Sequence, residues 1–313
     1  MALKDDILGV LINSNDYISG EELASKFNKT RAAVWKAIKS LEKQGYEIKA
    51  VTNKGYLLVK DELALSADTI KALLENDIEV EYHPVIDSTN THCKRELAAG
   101  RSGEFLVVSD EQTAGRGRQG KSFYSPANTG VYFTLVLRPY APLQSAVTAT
   151  TAAAVAVCKA IEDLTDIKPK IKWVNDVYVD GKKICGILTE AITNFEEGIV
   201  DSVIIGIGIN ISTSEFPTDI EGAGCLNYDV NKNELVSKIA NELMRIAKGD
   251  YKSFIDYYRS HSMVIGQDIK FIENKKITLA KAVSIDETGG LEVELENGER
   301  KILRSGEISI RKI

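Results

Sequence analysis

Gln112-Thr113-Ala114-Gly115-Arg116-Gly117-Arg118-Gln119-Gly120-Lys121 could be either a nucleotide-binding turn or a basic loop. It contains G-x-G-x-x-G, the spacing of a dinucleotide-binding turn, and that reading needs a helix to open directly behind it so that its N-terminus meets a pyrophosphate. The chain instead continues with Ser122-Phe123-Tyr124-Ser125-Pro126 and then the strand-like run Val131 to Leu137, VYFTLVL. The dinucleotide reading therefore fails. A flexible loop remains, whose glycines admit close backbone approach while Arg116, Arg118 and Lys121 bring positive charge and forked donors to a phosphate or carboxylate. A surface loop with incidental basic residues fits the same text.

Outward from that loop, alternation and turn residues predict strands near 79–86, 104–110, 129–138, 183–192 and 200–210, with helices near 88–99, 143–164, 232–248 and 250–261. Ser66 caps a further helix running to about Glu75. Turn signals at Asp180-Gly181 and at 194–198 imply hairpins, so much of the sheet should be antiparallel. That favours an α+β fold over a doubly wound parallel sheet. From Gly266 onward DIKFIE, ITLAKAVSI, LEVELE and KILRSGEISI are short segments parted by Asn274-Lys275, Gly289-Gly290 and Asn297-Gly298, the pattern of a small barrel.

Toward the other end, SGEELASKFNKTRAAVWKAIKSLEKQGYEI from Ser19 reads as two helices. Ser19 and Glu22 form a capping box, Asn28-Lys29 breaks the chain, and Thr30 caps the second helix. Val34, Ala37, Ile38 and Leu41 make one apolar stripe, leaving Arg31, Lys36 and Lys39 outside it. Two short strands around Thr52 to Gly55 then make a hairpin with Lys54 at its tip. The sum is a winged helix-turn-helix with Thr30, Arg31, Lys36, Lys39 and Lys54 offered to DNA; a helical interaction module with a solvated basic face has the same signature. The division expected is residues 1–62, 63–265 and 266–313.

Charge agrees with that split. Residues 1–60 hold ten Lys or Arg against seven Asp or Glu, a surplus of three, which leaves 29 against 38, a deficit of nine, for residues 61–313. Only the first segment suits a polyanion. Hydrophobic residues at 44% and charged residues at 27% are ordinary for globular chains and exclude collagen-like, coiled-coil or disordered classes. The start MALKDDILGVLINSNDYISG lacks a basic region and a cleavage site, and Ala146 to Val157 is too short to span a bilayer, so a cytoplasmic protein without membrane contact is expected. Cys93, Cys158, Cys185 and Cys225 are scattered and read as free thiols.

Three more segments carry polar groups suited to chemistry. Lys172-Trp173-Val174-Asn175-Asp176, followed by Gly181 to Gly186, sets Lys183 beside a carboxylate across a tight turn, although a lysine at a strand end also serves as an edge gatekeeper. Asp87-Ser88-Thr89-Asn90 stands between strand and helix, where such residues often do no more than cap. Gly206-Ile207-Gly208-Ile209-Asn210 ends an apolar strand with glycines that permit packing or admit a ligand.

Taken together and in order, DSTN, QTAGRGRQGK, KWVND, KKICGIL and GIGIN resemble the biotin-protein ligases over nearly the whole chain, in the bifunctional form that also represses the biotin operon. The resemblance implies a central mixed sheet like the cores of class II aminoacyl-tRNA synthetases and biotin/lipoate ligases, and an SH3-like C-terminal barrel. It implies ATP-dependent formation of biotinyl-5'-AMP with Mg²⁺, then transfer to a lysine of the biotin carboxyl carrier protein of acetyl-CoA carboxylase. By the family's pattern Ser88, Thr89, Asn90, Gln112 and backbone from Gly115, Arg116, Gly117 and Arg118 form the biotin pocket, with Lys183, Gly186 and Gly206. Arg118, Lys121, Phe123, Lys172, Asn175, Lys183, Asn210 and Arg311 meet the nucleotide, and residues 211–227 cover its adenine. Arg116, Arg118, Lys183 and Asp176 are the catalytic set, with Asp176 on magnesium. Double-stranded operator DNA and a homodimer formed on adenylate binding complete the expected partners. Two positions depart from the pattern: Val174 replaces a proline, and Phe123 stands where many members have tryptophan. A non-catalytic ligand-responsive DNA-binding regulator and a lipoate-protein ligase are the rival readings.

Overall fold

Caps decide where the first helices begin. Ser19 Oγ accepts from Glu22 N at 3.0 Å to open α2 (Gly20–Lys26), and Thr30 Oγ1 accepts from Ala33 N at 3.2 Å to open α3 (Arg31–Lys43). A preceding helix, α1 (Leu3–Ile12), is not foreseen from the sequence because no Ser, Thr, Asp or Asn stands ahead of Leu3 to mark its start. In this computed structural model the described residues are 3–12, 14, 16–43, 48–59, 64–138, 146–194, 199–249, 251–273, 276–306 and 308–310. They belong to two compact units, Met1–Ala64 and Leu65–Ile313.

In the first unit the stripe Val34, Ala37, Ile38 and Leu41 is buried with Ile7, Leu11 and Leu23. Burying each large aliphatic side chain stabilises by roughly 1.5–3 kcal/mol, whereas the Lys39–Glu42 pair on the exposed face of α3 contributes only tenths. Packing therefore holds the helix, and its charges are left for other uses. Strands β1 (Ile48–Val51) and β2 (Gly55–Leu58) form the expected antiparallel hairpin. Gly55 has φ +110°, and a Cβ there would lie 2.1 Å from Ile18 O, so glycine is required where the hairpin is stitched to the chain before α2.

The second unit is built on a seven-stranded mixed sheet, ordered β3-β4-β5-β9-β8-β7-β6. Its strands are β3 (Glu79–Ile86), β4 (Phe105–Gln112), β5 (Gly130–Leu137), β6 (Lys170–Lys172), β7 (Asp176–Val179), β8 (Lys182–Asn194) and β9 (Ile199–Asn210). Only β3 and β4 pair in parallel, joined by α5 (Thr89–Ala98); every other pairing is antiparallel. Asp180 and Gly181 take φ +50° and +75° at the β7–β8 turn, as the Asp-Gly signal predicts. Of the 194–198 turn, residues 195–198 lie outside the described residues.

Alternation along β4 and β5 sorts two layers. Leu106, Val108, Leu135 and Leu137 enter the main core with α6 (Ala146–Leu164) and α7 (Lys232–Ala247), while Phe105, Val107 and Val136 face Cys93 of α5. Helix α4 (Ala67–Leu73) is capped by Ser66, and α8 (Tyr251–His261) leads to the C-terminal strands. Those strands are β10 (Asp268–Glu273), β11 (Lys276–Ile285), β12 (Leu291–Leu295), β13 (Arg300–Leu303) and β14 (Ile308–Ile310), an antiparallel sheet ordered β13-β12-β11-β10-β14. The segment KILRSGEISI thus makes two strands instead of one, because the chain must leave β12 and return to pair with β10. Among the described residues no helix is long and apolar enough to cross a membrane.

Candidate active site

Parallel pairing of β3 and β4 aligns Ile86 with Gln112, so DSTN and QTAG leave the sheet side by side. Thr113 N and Ala114 N donate to Ile86 O and Asp87 O at 2.9 and 2.8 Å, binding the two exits together. Asp87 Oδ1 accepts from Ser88 N at 2.7 Å, and paired bonds from Arg95 hold the Asp87 carboxyl at a pKa of about 2. Ser88, Thr89 and Asn90 are all buried. Ser88 caps α5 and also lines the site's cavity.

A polar network runs from this turn. Gln112 Oε1 accepts from Thr89 N at 2.9 Å, and Gln112 Nε2 donates to Ser125 Oγ at 2.9 Å. Thr134 Oγ1 lies 2.7 Å from both Thr89 Oγ1 and Asn90 Oδ1, and Asn90 Nδ2 donates to Leu188 O at 3.2 Å and Glu190 Oε2 at 3.1 Å. Burial pushes the Glu190 pKa up, but hydrogen bonds from Lys94 and Asn90, with Lys94 and Arg116 charges nearby, outweigh it and hold the carboxyl below its ordinary value. A depressed carboxylate stabilises the fold at pH above its unfolded pKa and loses that contribution as pH falls through the folded value. The Tm gap between wild type and Glu190→Gln should therefore be present at pH 7 and close progressively below about pH 4.3; a gap independent of pH between 3 and 7 counts against Glu190 as a charged brace.

The glycine-rich loop folds back on itself. Gly117 N donates to Lys121 O at 2.7 Å and Phe123 N to Gly115 O at 2.9 Å, with a single 3-10 turn at Arg118–Gly120 and no α-helix behind it. The returning limb lays the Phe123 ring against Gly186 and Gly208, which face each other across β8 and β9. Opposite them, Asn175 Oδ1 accepts from Arg118 at 3.0 Å, Asn175 Nδ2 donates to Asp176 Oδ1 at 2.9 Å, and Lys183 Nζ lies 2.7 Å from the same Asp176 oxygen. The Trp173–Val174 peptide is cis. Residues 211–227 close along one side, where Lys183 N donates to Gly222 O, Gly224 N to Lys183 O, and Leu226 N to Asn210 O.

These segments enclose one cavity of about 310 Å³. Ser88, Thr89, Asn90, Gln112, Arg116, Gly117, Arg118, Lys121, Phe123, Lys172, Asn175, Asp176, Lys183, Gly186 and Gly206 all line it. Arg118 and Lys183, from distant parts of the sequence, share this space. Two expected residues are not among the lining side chains. At Gly115 a Cβ would meet Phe123 O at 2.4 Å, so glycine is required for the loop to fold back. Asn210 is buried, and its Nδ2 donates to Gly224 O at 3.0 Å, which ties it to residues 211–227. Arg311 lies outside the described residues. In the first unit Thr30, Arg31, Lys36, Lys39 and Lys54 are all exposed.

Sequence reasoning missed Thr134 and Glu190, and it named Gly208 only within GIGIN, without a place in the site. Thr134 is hidden in the apolar run VYFTLVL, and Gly208 matters only because register sets it against Gly186. Arg116, Arg118, Lys121, Lys172 and Lys183 make five cationic side chains against the single carboxylate of Asp176 among the described lining residues. In a unit whose sequence is acidic overall, that concentration of positive charge favours a polyanionic ligand.

The chain is similar to known proteins over nearly its whole length. The model of the biotin/lipoate A/B protein ligase family matches residues 82–210, that of an HTH domain residues 4–57, and that of the biotin protein ligase C terminal domain residues 264–311. The bifunctional ligase/repressor BirA of Bacillus subtilis is 35% identical over 316 residues, 96% of each chain. Its namesake in Escherichia coli is 27% identical over 310 residues, covering 96% of this chain and 95% of the other. Among solved structures, a biotin protein ligase from Aquifex aeolicus in complex with biotin and ATP matches with TM-score 0.63 at 28% identity, over 75% of this chain and 99% of that one.

Proposed function

Because this chain belongs to the bifunctional ligase/repressors of the biotin-protein ligase family, an enzyme and DNA-binding repressor in one, we propose that its cavity joins biotin to AMP and delivers it to a carrier lysine. The observation that carries this reading is the convergence of Arg116, Arg118 and Lys183 on one space beside the buried Ser88, Thr89, Asn90 and Gln112 network. Hydroxyl and amide groups suit a neutral ureido ring, which both donates and accepts. The cationic groups suit the activation step, since a carboxylate must approach a triphosphate against a repulsion of about 4 kcal/mol per unit pair at 4 Å in a partly screened site.

In the reaction proposed, a biotin carboxylate oxygen bonds to the α-phosphorus of ATP and pyrophosphate leaves. A lysine amine of the carrier then attacks the acyl carbon, and AMP leaves with the bonding pair. Lys183 steadies charge at the carbonyl and α-phosphate, Arg116 and Arg118 hold the acyl phosphate under the loop, and Lys121, Lys172, Asn175 and Phe123 meet the nucleotide. The donor set fits Mg²⁺ carried in largely by phosphates and water, since one cavity carboxylate, Asp176, is available to it and Mg²⁺ needs only one or two from the protein. When bound, the ion would offset phosphate charge.

The same reading assigns the carrier as the biotin carboxyl carrier protein of acetyl-CoA carboxylase, the setting as cytoplasmic, and the domains as 1–62, 63–265 and 266–313. The core is read as kin to class II aminoacyl-tRNA synthetases and the C-terminal sheet as an SH3-like barrel, supported by its antiparallel order and the return of β14 to β10. The first unit is read as a winged helix-turn-helix, with the exposed basic side chains of α3 on operator DNA. Adenylate that orders 112–125 and 211–227 would favour a homodimer, presenting two such units to half-sites about 34–36 Å apart or a multiple of that.

Incubation with labelled ATP, biotin and a carrier domain should yield AMP and one biotinylated lysine. Ligand binding without AMP would leave a non-catalytic regulator, and preference for lipoate would make the chain a lipoate ligase. Arg118→Gly, which removes the bond to Asn175 and one of the cavity's cations, should release the adenylate and biotinylate bystander lysines; unchanged labelling specificity removes Arg118 from that role. Sedimentation with biotin and ATP should show the mass doubling, and an unchanged mass at micromolar protein counts against the dimer.

A further inference from the structure

The chain has three histidines, and two of them converge outside the cavity. His83 shares a face of the edge strand β3 with Glu81, and His92 reaches them from α5. His83 Nε2 and His92 Nε2 lie 3.3 and 3.0 Å from the same oxygen, Glu81 Oε2, with the rings edge to face and their centres 4.9 Å apart. All three potential ligand atoms fall within 4.8 Å of one another.

We propose that Glu81, His83 and His92 bind one zinc-type transition-metal ion that clamps α5 to β3. Ligands about 2.0–2.1 Å from a tetrahedral ion stand roughly 3.3–3.4 Å apart, close to the two spacings from Glu81 Oε2 to the imidazoles. Two imidazoles and a carboxylate suit zinc and its neighbours, whereas Mg²⁺ and Ca²⁺ call for oxygen alone. The fourth position is left to water.

The surroundings are prepared for a dication. Arg101 binds Glu81 Oε1, which leaves Oε2 turned to the imidazoles, and it also pairs with Glu79 at 2.6 Å and Glu96 at 3.6 Å. One guanidinium against those three carboxylates leaves two negative charges beside the imidazoles. Arg101 is itself fixed over the Phe105 ring at 3.8 Å, so the carboxylate is oriented before any ion arrives. Ser88, Thr89 and Asn90 open the helix that carries His92, so the ion would brace the biotin turn without touching substrate.

The full-length chain, stripped with EDTA and desalted, should take up one equivalent of ZnSO₄ at micromolar affinity or better, measured against a chromophoric zinc indicator. Co²⁺ should give the absorption of a four-coordinate site, and millimolar Mg²⁺ should not displace zinc. His83→Ala and His92→Ala should each weaken binding by about 100-fold or more, the upper end of what loss of an outer partner alone produces, with circular dichroism unchanged. If His92→Ala misfolds, His83→Ala on the edge strand carries the test. Zinc affinity weaker than about 100 µM, or a tight equivalent unaltered by the histidine variants, overturns the site.

Discussion

Lys183→Ala should lower biotin-dependent pyrophosphate–ATP exchange by about 10²–10³-fold, the scale seen when one preorganised donor to a developing charge is removed. The side chain projects from β8 into the cavity shared with Arg118, its ammonium 2.7 Å from Asp176 Oδ1. Alanine leaves nothing at this position to replace the charge. The backbone links of Lys183 to Gly222 and Gly224 survive the change, so residues 211–227 should keep their course. Stability should fall little, since a partly exposed ion pair is worth about 0–1 kcal/mol. The expected pattern is a collapsed exchange rate with Tm shifted by a few degrees at most and biotin binding in the absence of ATP within a few-fold of wild type. Exchange within tenfold of wild type would remove Lys183 from the chemical step, and equal losses of biotin binding and exchange would make it a binding residue only.

Most of the site was legible because its groups sit in contiguous motifs whose residue types announce polar or cationic work. The Asp180-Gly181 turn places Lys183 and Asp176 on neighbouring strands, although register sets Lys183 opposite Tyr178 and Asp176 opposite Gly186, so the two meet only through their side chains. Residues whose role depends on register were hidden. Thr134 sits amid Val131 to Leu137, where a hydroxyl reads as an ordinary strand residue, and becomes part of the site only because Asn90 and Thr89 arrive beside it. Glu190 resembles a solvent-facing strand carboxylate until Lys94, Asn90 and Arg116 close on it. Asn210 shows that a polar residue at the end of a glycine-rich strand also ties down the next loop, through its bond to Gly224 O. Helix α1 was lost for want of a capping residue, while α2, α3 and α5 declared themselves through Ser19, Thr30 and Ser88.

The second large effect is expected at a residue with no functional atoms of its own. Gly206 lies opposite Leu188 on β8 and Thr134 on β5, and a Cβ added there would stand 1.9 Å from Asn90 Oδ1. That overlap cannot be absorbed by a small shift, because Asn90 is buried and tied to Leu188 O, Glu190 and Thr134 at once. Gly206→Ala must eject the amide, leaving buried polar groups unpaired at about 1–3 kcal/mol each. Two or three such losses should lower Tm, and displacement of the Asn90 amide from the pocket should weaken biotin binding by about 30-fold or more, the equivalent of roughly 2 kcal/mol. Gly9→Ala in α1, where an added Cβ meets nothing within 4 Å, supplies the contrast: in a helix interior that exchange is neutral or stabilising by up to about 1 kcal/mol. Calorimetry on the double variant Asn90→Ala, Gly206→Ala separates space from chemistry. Relief of the overlap should recover part of the Tm and none of the biotin affinity, because the missing amide is what orders the pocket. If Gly206→Ala alone binds biotin as tightly as wild type, the Asn90 amide is a packing group and the recognition of biotin belongs to Gln112, Thr89 and the loop backbone.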